Sequence, residues 1–261
     1  MVTWCTRPLF YDARSLPTAL WLPYDPFKNG YIYYFTLSFI FISVSNACFG
    51  NSSTDCIIAG LICQAASQIK LIKATLRDII KHADEYVSKF GDKLTRDELY
   101  KFKNQYIYDD ICKCVKRYNL IKDFVNDIEN TFSIALFWQF GASVFVICLG
   151  FVQFLFVELW TFDFFTIVSF VITMSWEVFL YCYYGSLLSN ESDTLITDIY
   201  ITNWLDLDLK CQKAYLIIME NGKKPIVIRA GKIIDLSLDT FATIIRRSYS
   251  VLAIISKLID N

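Results

Sequence analysis

The amino-acid sequence predicts an all-α membrane protein, a bundle of helices that crosses the bilayer several times. Of the 261 residues, 55% are hydrophobic and 17% are aromatic, whereas roughly 45–50% apolar residues is usual in soluble domains. Three stretches, 29–54, 130–157 and 164–190, carry at most one charged residue each. Each is long enough to cross the ~30 Å hydrocarbon core as a helix. The composition therefore argues against an ordinary soluble enzyme.

The charged and metal-binding residue types narrow the function classes further. Lys and Arg number 25 against 26 Asp and Glu, so the net charge is −1 and gives no general attraction for nucleic acid. The single histidine, His82, excludes a site built from several histidines. The nine cysteines show no disulfide spacing, and Cys112 and Cys114 would need further ligands to hold a metal. We therefore expect no metal, no cofactor and no nucleic-acid partner.

The first membrane helix is predicted over 31–69, after an extracellular loop at 1–30. Asp55 ends the uncharged run, but apolar residues continue at the helical period to Ile69, which predicts an amphipathic extension beyond the membrane. The following segment, 70–127, mixes 13 basic with 10 acidic residues. Its apolar positions recur mostly every three to five residues, so we expect cytoplasmic helices that extend the bundle, with a break near Gly91.

A helical hairpin is predicted next, with membrane helices at 128–157 and 162–188 joined by a short extracellular turn at 158–161. Glu177 is the one charge within the second of these helices. An ionisable group at membrane depth marks a pore, a water-filled cavity or a paired partner. A position near the headgroups, or a bond to a neighbouring helix, is an equally good interpretation of the sequence.

A cytoplasmic segment at 189–235 leads to the last predicted helix, 236–261. Its residues 241–255 are apolar at the helical period, yet Arg246 and Arg247 stand in the middle. Hydropathy alone therefore predicts an amphipathic helix rather than a membrane span.

The distribution of lysine and arginine predicts which loops of the chain face the cytoplasm. Segment 68–127 carries 13 of them and 187–232 carries six, whereas 1–30 carries three and 158–163 none. Because basic loops stay in the cytoplasm, both chain ends are predicted to be extracellular. An extracellular start without a signal-peptide pattern leads us to expect that further membrane spans precede this chain.

An ordered series of short motifs runs through the second half of the chain. It comprises Tyr181-Cys-Tyr-Tyr-Gly185, Ser192, Ile199-Tyr200-x-x-x-Trp204, Leu209-Lys-Cys-Gln-Lys213, Lys223-Lys-Pro225 and Ile244-Ile-Arg-Arg-Ser-Tyr-Ser250. Together with Leu16-Pro17 and Trp21-x-Pro23 near the start, this series resembles the insect odorant receptors. The resemblance covers essentially the whole chain and fits that family better than the related gustatory receptors.

The resemblance implies a seven-helix fold with a cytoplasmic N-terminus and an extracellular C-terminus, of which this chain holds helices four to seven. It also implies a multi-pass protein of the plasma membrane, in the dendrite of a sensory neuron. Members of the family form heterotetrameric cation channels with a shared odorant co-receptor and respond to small volatile ligands. A truncated partner that assembles with the co-receptor but does not sense odorants is the alternative.

Site residues follow from the resemblance in three groups. The last helix would line the pore, and its candidate residues are Arg246, Tyr249, Leu252 and Ser256. The family pattern places an apolar constriction at the last two of these, Leu252 and Ser256. The odorant pocket is assigned by depth in the membrane, and its candidates are Val44, Cys48, Phe49, Phe170, Ile172 and Met174. The cytoplasmic anchor that joins subunits would use Trp204, Gln212 and Phe241.

Each group has a plainer interpretation. The pocket candidates suit a lipid-facing or core position, and the anchor candidates suit internal packing. Both arginines suit the cytoplasmic interface, since a basic lining disfavours cations. Ser256 departs from the apolar gate pattern of the family. A membrane enzyme or transporter, argued from Glu177, Asp55 and the two neighbouring cysteines, lacks a convergent acid, base and nucleophile.

Overall fold

The computed structural model describes residue 16 and residues 21–89, 95–154, 156–158 and 160–259. Three long helices come first: α1 (Gly30–Ser88), α2 (Arg96–Gln153) and α3 (Phe162–Tyr200). A 3-10 turn at Trp204–Asp206 precedes α4 (Leu209–Gly222). The strands β1 (Arg229–Ala230) and β2 (Ile234–Asp235) form a hairpin before the last helix, α5 (Leu238–Ile259).

Helices α1, α2 and α3 are each long and apolar enough to cross a membrane. This confirms the prediction of a mostly helical, multi-pass membrane protein. Helix α5 carries Arg246, Arg247 and Lys257 and falls outside this group, which agrees with its predicted amphipathic character. The predicted break near Gly91 lies outside the described residues.

Helices α1 and α2 do not stop where their uncharged stretches end. In the 59 residues of α1 the buried side chains recur at three- and four-residue intervals, through Ile62, Ile69, Leu76 and Ala83. Because three and four residues span about one helical turn, this spacing holds a single apolar stripe along the helix. The stripe gives the charged part of the chain a packed face and keeps it helical to Ser88.

The described chain forms two compact units. The first unit comprises residues within 1–58, 143–177 and 245–261, and the second comprises 59–142 and 178–244. In the first unit, α2 and α3 approach closely, since a Cβ on Gly150 would lie 2.4 Å from a methyl of Val171. In the same unit the Cys148 thiol and the Ser248 hydroxyl are 3.2 Å apart and join α2 to α5.

The β-hairpin belongs to the second unit and was not predicted. Its two strands pair antiparallel, with Ala230 opposite Ile234. Gly231 has a φ of +61°, a conformation that glycine adopts without steric cost. Its N–H donates to the carbonyl of Ser133 on α2 at 2.8 Å. A Cβ at this position would lie 2.7 Å from the Phe137 ring, so the close approach also requires glycine.

Candidate functional site

A polar bridge joins α1 to α3 within the first unit. The side-chain amide of Asn51 donates to Glu177 Oε1 at 3.4 Å and to Asp55 Oδ2 at 3.3 Å. Of the alternatives considered for Glu177, the structure therefore favours a bond to a neighbouring helix. Asn51 was missed in the sequence, although a polar amide one turn before Asp55 in an apolar run is a usable signal for such a bridge.

Four of the six pocket candidates share faces with this bridge. Cys48 and Val44 lie three and seven residues before Asn51 on α1. Met174 and Phe170 lie three and seven residues before Glu177 on α3. Residues at these spacings share one face of a helix, so each set lines the side that carries the polar bridge.

The other two pocket candidates lie away from this face. Phe49 and Ile172 are two and five residues before Asn51 and Glu177, and both side chains are exposed. Val44 and Met174 are half-buried, whereas Cys48 and Phe170 are exposed. Within the described residues, the best-supported pocket wall is therefore the face of Val44, Cys48, Phe170 and Met174.

Helix α5 has one packed and one exposed face within the first unit. The Ser248 side chain is buried, and Leu252, four residues later on the same face, is half-buried. Arg246 and Tyr249 are exposed. Leu252 lies about 40° around α5 from Ser248 and about 60° from Tyr249, so it lies at the edge of the packed face, next to the open side. The side chain of Ser256 lies outside the described part of the chain.

The three anchor candidates make internal contacts in the second unit. Trp204 is buried, with its ring centroid 6.3 Å from that of Tyr215. The Gln212 amide donates to the carbonyls of Leu205 and Leu207, at 2.7 Å and 2.9 Å. Phe241 packs edge-to-face on Phe179, with centroids 5.5 Å apart. These contacts support the internal-packing interpretation.

Exposed apolar side chains surround these internal contacts. The 3-10 turn and the start of α4 expose Leu205 and Leu209, and the later part of α4 exposes Leu216 and Ile217. A partner surface in this segment would use these side chains rather than the three predicted ones. The sequence did not single them out, because exposed and buried apolar residues alternate closely here.

We expect Gln212→Glu to destabilise the fold of the anchor segment, since a carboxylate cannot donate to the carbonyls of Leu205 and Leu207. Lost hydrogen bonds with their acceptors left in place cost about 1–3 kcal/mol. Thermal unfolding of the detergent-solubilised chain measures this as a lower midpoint. Lys213→Gln, at the exposed neighbouring position, is the control and leaves the midpoint unchanged. An equal shift in both variants would contradict the role given to Gln212.

The buried cysteines of the second unit are poor nucleophiles. Burial raises the pKa of both the Cys114 and the Cys211 thiol to about 11. Burial also raises the pKa of the Tyr215 hydroxyl. The thiolate is the reactive form of cysteine, and it is scarce at neutral pH when the pKa lies this high. Among the described residues, no group of three or more His, Cys, Asp or Glu side chains has a metal-binding arrangement.

Iodoacetamide at pH 7.5 is therefore expected to leave Cys114 and Cys211 unmodified in the folded chain. Both thiols are buried, so the reagent does not reach them, and both are protonated, so they react slowly. Mass spectrometry of the tryptic peptides reads the labelled fraction, and the same reaction after denaturation supplies full labelling. Rapid labelling in the folded state would revive a catalytic or redox role for these thiols.

The profile of the family described as 7tm Odorant receptor matches residues 1–249. Odorant receptor Or1 of Anopheles gambiae is 24% identical over 99% of this chain and 64% of its own length. Odorant receptor 33b of Drosophila melanogaster is 25% identical over 93% of this chain and 59% of its own length. The chain thus spans about three fifths of the length of these relatives.

The fold agrees with a solved structure of an insect olfactory receptor. The insect olfactory receptor OR5 from Machilis hrabei, in complex with eugenol, matches with a TM-score of 0.79 at 12% identity. That match covers 98% of this chain and 62% of the receptor. The resemblance found in the sequence motifs is confirmed, and the chain belongs to the 7tm odorant receptor family.

Proposed function

We propose that this chain is the helix-four-to-seven portion of an odorant receptor, a subunit of an odorant-gated cation channel that assembles with a shared co-receptor. The family match over residues 1–249 carries this proposal. The likeness of the fold to an olfactory receptor, at a TM-score of 0.79, supports it independently of sequence identity.

The proposed ligands are small, volatile and largely apolar. The receptor from Machilis hrabei was solved with eugenol, a ligand of this kind. In this chain the face of Val44, Cys48, Phe170 and Met174 offers aliphatic, thiol, aromatic and thioether contacts. Such surfaces recognise shape and apolar area, so we expect modest selectivity between ligands of similar size.

For the channel, we propose that α5 lines the pore, with a gate at the level of Leu252 and Ser256. An apolar constriction blocks ions because it expels water, and a small outward shift of the helix admits water and ions. We further propose an extracellular C-terminus, as the 13 basic residues of segment 68–127 imply for a plasma-membrane protein.

Whole-cell recording tests the proposal. Cells expressing the co-receptor with this chain, or with the longest reading frame of its transcript, are exposed to a broad panel of volatile compounds. We expect inward current from at least one of the two forms. Absence of current from both, with each detected at the cell surface, would overturn the sensory role.

A second candidate is a membrane partner that assembles with the co-receptor without sensing odorants. The exposed apolar side chains of the anchor segment, Leu205, Leu209, Leu216 and Ile217, favour this candidate, because they offer a partner surface that needs no bound odorant. Cysteines placed at the exposed positions Leu205 and Leu209 would cross-link to the co-receptor in either case. Cross-linking without any odorant current would favour the second candidate, and the lack of a cross-linked product would exclude both.

We also propose that the chain is not an enzyme. Among the described residues, no group of three or more His, Cys, Asp or Glu side chains could hold a metal ion, and the buried thiols of Cys114 and Cys211 are held protonated.

A further inference from the structure

A desolvated ammonium group joins α1 to α3 within the second unit. Lys73 Nζ lies 2.9 Å from Glu191 Oε2, 2.7 Å from Thr194 Oγ1 and 3.2 Å from Asp198 Oδ2. Two of its three donors are hydrogen-bonded, to Glu191 and Thr194, and the Asp198 carboxylate adds an ion pair. The side chain of Lys73 is only 12% exposed, and those of Glu191 and Asp198 are 21% and 18% exposed.

Arg77 completes this arrangement, which we call the Lys73 clasp (Lys73, Arg77, Glu191, Thr194 and Asp198). Arg77 Nη2 lies 3.0 Å from Asp198 Oδ1, so two cations of α1 meet two carboxylates of α3. The three acceptor residues of α3 lie three and four residues apart and therefore share one face of that helix. The Arg77 side chain is 61% exposed, whereas Lys73 is largely shielded from water and is therefore stable as a charge only while its carboxylate partners remain in place.

The same part of α3 also holds the segment that leads into α5. The Ser192 hydroxyl, next to Glu191, accepts from the N–H of Ile226 at 2.8 Å. The Ser186 hydroxyl accepts from the N–H of Leu238, the first residue of α5, at 2.8 Å. A Cβ on Gly185, next to Ser186, would lie 2.2 Å from the carbonyl oxygen of Leu236, so the segment lies directly on α3.

We infer that the Lys73 clasp is a positioning device that sets where α5 begins, and that it thereby tunes opening of the channel. One face of α3 is fixed to α1 by the clasp, while Ser192, beside Glu191, and Ser186, about one and a half turns earlier, hold the amides of residues 226 and 238. A rotation or shift of α3 that follows loss of the clasp must move both serine hydroxyls. The effect on opening rests on the proposed function, whereas the positioning itself does not.

Hydrogen exchange tests the positioning without reference to ligands or current. The amides of Ile226 and Leu238 are direct reporters, because their acceptors are the two serines of α3. In the full chain in detergent, we expect Lys73→Met to speed exchange in peptides covering 225–240, on the order of tenfold. Lys70→Met, an exposed position one turn earlier on α1, is the matched control and leaves exchange unchanged.

A charge-conserving variant separates the clasp from a general loss of folding. Lys73→Arg keeps a cation opposite Glu191 and Asp198, and we expect exchange in 225–240 to stay near the parent value. The positioning role is overturned if Lys73→Met leaves exchange unaffected, or if it raises exchange uniformly over all helices and Lys73→Arg does the same.

Recording from cells with the co-receptor then tests the tuning of opening. We expect Lys73→Met to change the basal current and the maximal odorant response severalfold relative to Lys70→Met at equal surface expression, and Lys73→Arg to restore both. Faster local exchange with unchanged currents would overturn the effect on opening. If the parent chain gives no current, the proposed function fails, and the exchange measurement still decides the positioning role.

Discussion

Replacing Gly185 by alanine is expected to destabilise the folded chain by roughly 1–3 kcal/mol, the range seen when a packed site is overfilled. A Cβ at this position of α3 would lie 2.2 Å from the Leu236 carbonyl oxygen and 2.8 Å from the Leu236 Cβ. Both atoms belong to the rigid part of the neighbouring segment, so rotation of a side chain cannot relieve the overlap. The segment before α5 must therefore move away from α3.

Two measurements check this expectation. Fluorescence-detected size exclusion after heating reads a lower unfolding midpoint for Gly185→Ala, and surface labelling reads reduced delivery of the chain to the membrane. Gly141→Ala is the matched control, because α2 leaves open space around Gly141. Alanine is favoured over glycine within a helix by about 1 kcal/mol, so the control is expected to be neutral or stabilising. A midpoint for Gly185→Ala at or above the parent value would contradict the close contact.

Hydropathy was sufficient to predict the helices that cross the membrane. Uncharged runs of this length have few stable alternatives in a bilayer, because every backbone polar group must be paired within the helix. Helix α5 was harder, since Arg246 and Arg247 lower its hydropathy while its apolar period persists. The family resemblance, rather than composition, identified it as part of the membrane bundle.

The spacing of apolar residues alone did not predict which face of each amphipathic helix is buried. Ile107 and Ile111 of α2 are buried, as a three-to-four-residue period requires, yet Phe102 and Leu120, equally apolar, are exposed. Apolar residues at three- to five-residue spacing fit more than one helical face, and only the neighbouring helices select between them. The β-hairpin was missed because its strands, at two residues each, are too short to show an alternating pattern, although Gly231, with a φ of +61°, is a local turn signal.

The candidate sites show the same limit. Val44 and Cys48 were chosen by depth, and only the bond between Asn51 and Glu177 identifies the helix face to which they belong. Gln212 carries a polar group suited to a partner, yet that group is used by the carbonyls of Leu205 and Leu207. Lys73 gave no sequence signal, because one lysine among 13 basic residues of a charged segment is distinguished only by its partners on α3.

Leu252→Ser is expected to raise the odorant-independent current of the assembled channel severalfold. Leu252 is half-buried at the edge of the packed face of α5, four residues after the buried Ser248 and about 60° around the helix from the exposed Tyr249. An apolar side chain at a narrow level of a pore excludes water, and a hydroxyl at the same place allows hydration of the closed state. The resting current is therefore the most direct measure of the proposed gate, because a hydrated closed state conducts ions without odorant.

The control for this variant is Ile254→Ser, since Ile254 is exposed and lies about 160° around α5 from Leu252, near the same depth. Resting current is compared at matched surface expression, as the fraction of the maximal odorant-evoked current, in cells that also express the co-receptor. A rise confined to Leu252→Ser assigns the seal to the side of α5 that carries Leu252 and Tyr249. A rise confined to Ile254→Ser would place the pore on the opposite side of α5, and the gate would then be sought near Ile254 and the exposed Val251.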